Sequence, residues 1–309
     1  MDRFFCWRYS YHTGCGEKIM ARNIGVVGVG RMGLAMAKKL IAAGHGVNGY
    51  RRSSMDDFVA AGGTTADSPA ALTTASDIVI ISVNSQTAVD EVLYGPSGVL
   101  GALQQDQIVL QTTSLTPAQS REHSEKITVA GGVMLDCPIS GTPGMLEMGR
   151  GAFFVSGDRA VADSIADLLQ TICPKTTWVG DVGAGAATKS VATALVAIHN
   201  LAAAEGLALA QREGGDIRAV HDAISDSPAG SAMFEIRGTL MAKRDYSDGG
   251  GSLDGYLRGL GAVFNATRDS GATPLLDITH DWYRAAVEAG HTGQDQASIF
   301  EYLLEQSGD

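Results

Sequence analysis

The chain has 309 residues, 45% of them hydrophobic, and a formal net charge of −11. That length suits two domains better than one small core, and the apolar content argues against a disordered chain. The acidic balance argues against tracking along a nucleic-acid backbone or adhering to a membrane surface, yet a few local arginines could still hold a small anion.

Residues 1–19 lack the long apolar core of a signal peptide and read as an N-terminal extension, ahead of a strand opened by Met20. Next, "NIGVVGV" (23–29) is a short apolar run rich in β-branched residues, and "GRMGLAMAKKLIAAGH" has apolar residues at helical spacing. Their junction carries Gly28-x-Gly30-x-x-Gly33, and a second strand, "GVNGY", follows after one helix length. In that context the glycines form a dinucleotide fingerprint. Gly28 permits the tight turn, Gly30 lets a pyrophosphate approach the backbone, and Gly33 packs helix on strand. Val29, Arg31 and Met32 fill the same loop and count with it as cofactor-binding. The free amides at the helix start suit a phosphate.

The end of the second strand bears on the choice of cofactor. An NAD enzyme commonly places Asp or Glu there to hold the ribose hydroxyls. This chain has Arg51, Arg52, Ser53 and Ser54, with no acid until Asp56. Guanidinium groups and hydroxyls suit a 2′-phosphate, so NADP(H) is the expected cofactor. The competing reading is a solvated surface turn.

Strand–helix alternation continues. Residues 77–83, 107–113 and 132–138 read as buried parallel strands, with helices at 87–95 and 116–127 between them. The pattern implies a doubly wound parallel sheet of Rossmann type. Val83, Asn84, Thr113, Ser114 and the "PISGTPG" loop fall at strand carboxyl ends, where such sheets bind ligands.

After "TTWVGDVGAG" the strands stop. One long helix is expected over 186–212, then helices near 216–225, 230–243, 252–270, 274–289 and 294–306. The expected organisation is a nucleotide-binding domain over 20–182 and an all-helical domain over 183–309. "RDYSDGGGS" (244–252) is the most flexible-looking link. The helical apolar faces exceed what one small bundle buries, so a homodimer is expected.

The four cysteines, Cys6, Cys15, Cys137 and Cys173, are scattered without metal spacing, as for reduced thiols of a cytoplasmic protein. His199, His221, His280 and His291 also lack metal spacing and read as structural or exposed. The most membrane-like stretch, Val191–Ala204, is interrupted by Thr193, His199 and Asn200. Trp178, Trp282 and the aromatics of 299–302 read as packing residues.

Between Asp181 and Glu205 stands a single charged residue, Lys189. An apolar setting lowers a lysine's pKa and moves it towards acid–base work. By position alone, a lysine snorkelling to water is equally well supported.

These motifs, in this order, resemble the β-hydroxyacid dehydrogenase family, from about Asn23 to the C-terminus. "GVGRMG" (28–33) matches the family's cofactor loop, and "YRRS" (50–53) matches an Asn-Arg-Thr-like turn of NADP-preferring members. "TTSLTP" (112–117) matches a segment on the nicotinamide side. "DCPISGTPG" matches the substrate loop, placing Ser140, Gly141 and Thr142 against substrate. "GAGAATK" (183–189) puts Lys189 on the catalytic lysine. The resemblance implies hydride transfer between a nicotinamide and a small β-hydroxy acid or its semialdehyde or keto form, with Lys189 as general acid/base.

Three departures from the pattern stand out, one of them a pair of residues. Thr193 replaces a substrate-holding asparagine, Thr142 replaces a glycine, and Arg258–Gly259 replace a Lys-Asp pair near the cofactor. Thr193 lies one turn beyond Lys189 and can bind substrate or bond back to its own helix. Arg258 stands for the cofactor-contacting lysine or is a surface residue. Two other readings are an imine reductase, a related class that generally lacks the lysine, and a non-catalytic NADP-binding protein. A 6-phosphogluconate dehydrogenase role is disfavoured by the short helical domain.

Overall fold

The structure is a computed structural model that describes residues 21–247, 251–267 and 271–306. The extension at 1–19, Met20 and the centre of the glycine-rich link lie outside the described residues. Among the described residues nine strands form one sheet: β1 (Asn23–Val27), β2 (Gly46–Tyr50), β3 (Thr64–Thr65), β4 (Ile78–Ile81), β5 (Ile108–Gln111), β6 (Val133–Asp136), β7 (Ile139–Ser140), β8 (Ala152–Ser156) and β9 (Lys175–Gly180). Their order is β3-β2-β1-β4-β5-β6-β8-β7, with β9 on β8.

The strands from β3 to β6 run parallel. Ile24, Val26 and Val27 of β1 and all of Ile78–Ile81 in β4 are buried, because helices cover both faces. This accounts for their unbroken apolar runs. The parallel order ends at β8, which pairs antiparallel with β6 and β7. The segment between β6 and β8 folds back through β7 and a five-residue helix, Pro143–Glu147, with no long crossover helix. The sheet is thus parallel-dominated, with an antiparallel turn-back at the substrate loop.

Chain direction across the sheet reverses between β1 and β4, so a crevice opens at their carboxyl ends. The helix Arg31–Ala42 leaves from the end of β1, and Gln86–Tyr94 follows β4. Pro117–Val129 follows β5 and begins with a capping box of Thr116 and Gln119.

The long helix Ala184–Arg212 leads into the helical domain. By length and composition it could cross a membrane. However, Ala197, Asn200, Leu201, Ala204 and Leu207 are buried in the domain's core with Met241, Tyr283 and Phe300. The remaining helices are Ile217–Ser225, Ala232–Lys243, Leu253–Thr267, Pro274–Glu288 and Ile299–Glu305.

Two expectations change. Trp178 is at the surface, its indole N–H donating to the Gly157 carbonyl and its ring covered by Arg159. "AFFVS" (152–156), expected to carry no element, is a strand of the sheet.

Candidate active site

The glycine loop is built as its spacing requires. Gly28 has φ +98°, and a Cβ there would stand 2.3 Å from the Ser82 carbonyl oxygen. A Cβ on Gly33 would lie 2.2 Å from the Gly28 carbonyl oxygen, so the helix packs onto the loop through bare backbone. Gly30 faces open space and is the N-cap of Arg31–Ala42, with no side chain capping the helix. First-turn amides are therefore available to an anion, as a bound pyrophosphate requires.

A cleft of about 660 Å³ opens beside this loop. Gly28, Gly30, Arg31, Met32, Arg51, Arg52, Ser53, Val83 and Asn84 line it together. Val29 is buried beneath it, and Gly33 packs behind the loop. Thr113 joins the ends of β4 and β5: its hydroxyl accepts from the Val83 amide and donates to the Val83 carbonyl, both at 3.1 Å. Ser114 follows, exposed and outside the cleft lining. The residues fit a dinucleotide: bare backbone at the phosphates, a free helix start, and cations where the adenosine ribose would lie.

The two arginines differ. Arg51 folds inward, donating to the Val29 carbonyl at 2.7 Å, to the Ser54 carbonyl and to Asp57. This bond holds the Asp57 carboxyl below its ordinary pKa. Arg52 projects from the rim with 78% of its side chain exposed, paired with Glu91 at 3.2 Å. Arg51 thus ties the second strand to the glycine loop, while Arg52 is the freer cation.

Lys189 lies in the second turn of the long helix, half-buried. Burial lowers its pKa, and among the described residues its amine has no hydrogen bond and no carboxylate partner. The helix packs against β6, β7 and β8, and Ser140 ends β7. Gly141 has φ +132°, with a would-be Cβ 3.3 Å from Gly151 Cα. Thr142 caps the helix Pro143–Glu147, its hydroxyl accepting from the Met145 amide at 3.2 Å. The side chain that departs from the family's glycine thus has a local structural role.

Thr193 donates to the Lys189 carbonyl at 2.9 Å, and its own carbonyl accepts from the hydroxyl of the half-buried Tyr256 at 2.8 Å. The Thr193 hydroxyl proton is used within the helix, leaving its oxygen free only as an acceptor. Arg258 is 74% exposed and pairs with Asp254 one turn back at 2.8 Å. It does not reach the cleft lining.

Sequence reasoning missed several residues. Tyr50, Ser82 and Glu91 also line the cleft, and Asp136 and Ser156 bond the start of the long helix. Of these, Tyr50 and Asp136 stood in recognised motifs, as the first residues of "YRRS" and "DCPISGTPG". Among the described residues no group of His, Cys, Asp and Glu could hold a metal ion. Cys137 and Cys173 are buried free thiols.

Residues 23–180 match the family model described as the NAD binding domain of 6-phosphogluconate dehydrogenase. Residues 183–303 match the one described as NAD-binding of NADP-dependent 3-hydroxyisobutyrate dehydrogenase. L-threonate dehydrogenase of Cupriavidus necator is 32% identical over 286 residues, covering 91% of this chain and 96% of that protein. 2-Hydroxy-3-oxopropionate reductase of Escherichia coli is 30% identical over 228 residues, covering 74% and 78%. The crystal structure of 3-hydroxyisobutyrate dehydrogenase from Salmonella typhimurium aligns with a TM-score of 0.80 at 25% identity, over 91% of this chain and 99% of that one. By these matches, the chain belongs to the β-hydroxyacid dehydrogenase family, whose members are NAD(P)-dependent.

Proposed function

We propose that this protein is an NADP-dependent dehydrogenase or reductase of a small β-hydroxy acid or its semialdehyde, with Lys189 as general acid/base. The observation that carries the reading is Lys189 itself: an amine desolvated by burial and, among the described residues, without a counter-ion, on a helix packed against the strand that ends at Ser140. The nicotinamide supplies or accepts the hydride.

The chain's own groups manage the rest. In the reducing direction the Lys189 ammonium gives its proton to the carbonyl oxygen and stabilises the charge developing there. In the oxidising direction the neutral amine takes the hydroxyl proton. The absence of a carboxylate partner leaves the pKa lowered by burial, so both forms are accessible nearer neutral pH than in an ordinary lysine. Ser140, Gly141 and Thr142 hold the carboxylate end of the substrate through hydroxyls and close backbone. Thr193 offers an acceptor oxygen where a relative's asparagine would also donate. Ser114 borders the nicotinamide side.

NADP preference is supported by Arg52 at the rim, by Ser53, and by the absence of an acid at the end of β2. The description of the model matching residues 183–303 points the same way. The names of the two relatives describe short hydroxylated carboxylates, which supports a substrate of that class. The domain boundary falls at 182/183, between the sheet and the long helix.

Val191, Leu195 and Leu275 stand exposed around one apolar groove. That groove is where self-association of a cytoplasmic enzyme would place a partner's apolar side chains.

The test is oxidation of NADPH and NADH against glyoxylate, 2-hydroxy-3-oxopropionate, succinic semialdehyde and methylmalonate semialdehyde, with L-threonate in the reverse direction. Turnover of one of these with NADPH preferred supports the reading. Tight cofactor binding with no turnover on any, or a clear NADH preference, contradicts it.

A further inference from the structure

The long helix begins without a cap of its own. Gly183, at its N-cap, has no side chain and φ +95°. First-turn amides need acceptors from elsewhere. The sheet supplies two: the Gly185 amide donates to Ser156 Oγ at 2.9 Å, and the Ala186 amide donates to Asp136 Oδ2 at 3.0 Å. Ser156 Oγ in turn lies 3.3 Å from Asp136 Oδ2 as a donor. Asp136 is 1% exposed and Ser156 is fully buried.

The approach of helix to sheet is as close as bare backbone permits. A Cβ on Gly185 would lie 2.7 Å from the Phe154 carbonyl oxygen and 2.8 Å from that of Asp136. Lys189 follows Gly185 by four residues and so stands on the same face, about 6 Å further along the axis. Whatever fixes Gly185 and Ala186 also fixes how deeply the Lys189 amine is set.

The groups around the carboxyl come from every side. Gln111 on β5 is its register partner, Ser120 projects from Pro117–Val129, and the Gly183 amide belongs to the helix start. Burial raises the Asp136 pKa, while the Ala186 amide, Ser156, the Gly183 amide and Ser120 oppose that rise. A carboxyl at a helix N-terminus also complements the helix dipole.

We propose that Asp136 is a positioning residue for the reaction: through Ala186 and Ser156 it sets the height of Lys189 above the sheet and hence the depth of the amine. This rests on the reading of Lys189 as the acid/base group. The role differs from simple stabilisation, because it predicts a change in one particular amine. Removal of a nearby negative charge alone would leave the Lys189 pKa unchanged or lower it. Displacement of the helix start towards water raises it.

The experiment is competitive acetylation of the unligated protein across pH with acetic anhydride, reading the Lys189 peptide by mass spectrometry. Wild type, Asp136→Ala, Asp136→Asn and Ser156→Ala are compared. NADPH affinity and turnover of 2-hydroxy-3-oxopropionate are measured alongside. In Asp136→Ala the Lys189 pKa should rise by at least about half a unit towards the ordinary value of about 10.4. Its kcat should fall about tenfold or more, with the NADPH Kd within about twofold, since a displacement near 1 Å suffices. Asp136→Asn retains an acceptor and should restore both. Should Asp136→Ala not fold, Ser156→Ala reports the same shift at smaller size. An unchanged Lys189 pKa in the folded variants overturns the proposal, as does an Asp136→Asn variant no better than Asp136→Ala. Lys189→Ala separates the two claims: near-normal turnover there refutes the acid/base assignment, while the labelling shift still reports on Asp136.

Discussion

Arg52→Ala should convert the cofactor preference. The Arg52 guanidinium is largely in water and its partner Glu91, at 3.2 Å, is about half exposed. An ion pair in that setting contributes about 0–1 kcal/mol, so releasing Arg52 to a 2′-phosphate costs about that much at most. The charge-assisted hydrogen bonds gained there contribute about 1.5–3 kcal/mol. The net gain, about 0.5–3 kcal/mol, corresponds to roughly 2- to 150-fold in affinity. Arg51 is a poorer candidate, because its donors already serve Val29, Ser54 and Asp57. Titration of nicotinamide fluorescence should therefore show the NADPH Kd rising about 2- to 150-fold in Arg52→Ala and the NADH Kd nearly unchanged. The effect should shrink with added salt. Glu91→Gln provides the opposite perturbation: with the competing carboxylate gone, NADPH should bind about two- to fivefold more tightly. Equal loss for both cofactors in Arg52→Ala, or no loss for either, refutes the assignment of the 2′-phosphate site to this arginine.

Other expectations are as specific. Thr193→Asn should alter the KM ratio among short hydroxy acids and semialdehydes, because it replaces an acceptor oxygen with an amide that both donates and accepts; an unchanged preference counts against a substrate contact. Gly28→Ala forces a side chain into φ +98° and onto the Ser82 carbonyl, 2.3 Å away. That strain should cost about 2–4 kcal/mol and lower the thermal midpoint by about 5–15 °C in calorimetry. Leu195→Asp, in the exposed apolar strip, should shift sedimentation towards monomer while cofactor affinity holds. A monomeric wild type would contradict the dimer.

Much of the fold was legible because local pattern and tertiary role agree. The runs of β1 and β4 are apolar throughout since both faces are buried, and Gly28 and Gly33 each answer a backbone demand. The antiparallel β8 was not legible, since "AFFVS" carries no mark of strand direction. The pairing of Arg258 with Asp254 was available from their i,i+4 spacing, and it accounts for Arg258 standing outside the cleft. Thr142 precedes a proline and a short helix, so its capping role was also within reach. By contrast, Asp136 and Ala186 are fifty residues apart, and nothing local indicates that the sheet caps the long helix. Motifs located the chemistry, but the partners of each side chain required the three-dimensional structure.

The central claim is that a desolvated Lys189 exchanges the proton. It has a direct measure in the pH dependence of kcat for wild type and Lys189→Ala, with NADPH binding followed separately. Burial lowers the Lys189 pKa, so reduction, which needs the ammonium, should weaken as pH rises through a value below that of ordinary lysine. Oxidation, which needs the free amine, should strengthen over the same interval. Lys189→Ala should bind NADPH normally, lose about 10²–10⁴-fold in kcat and lose that titration. Near-normal turnover in Lys189→Ala, with the same pH profile and intact cofactor binding, would contradict the account.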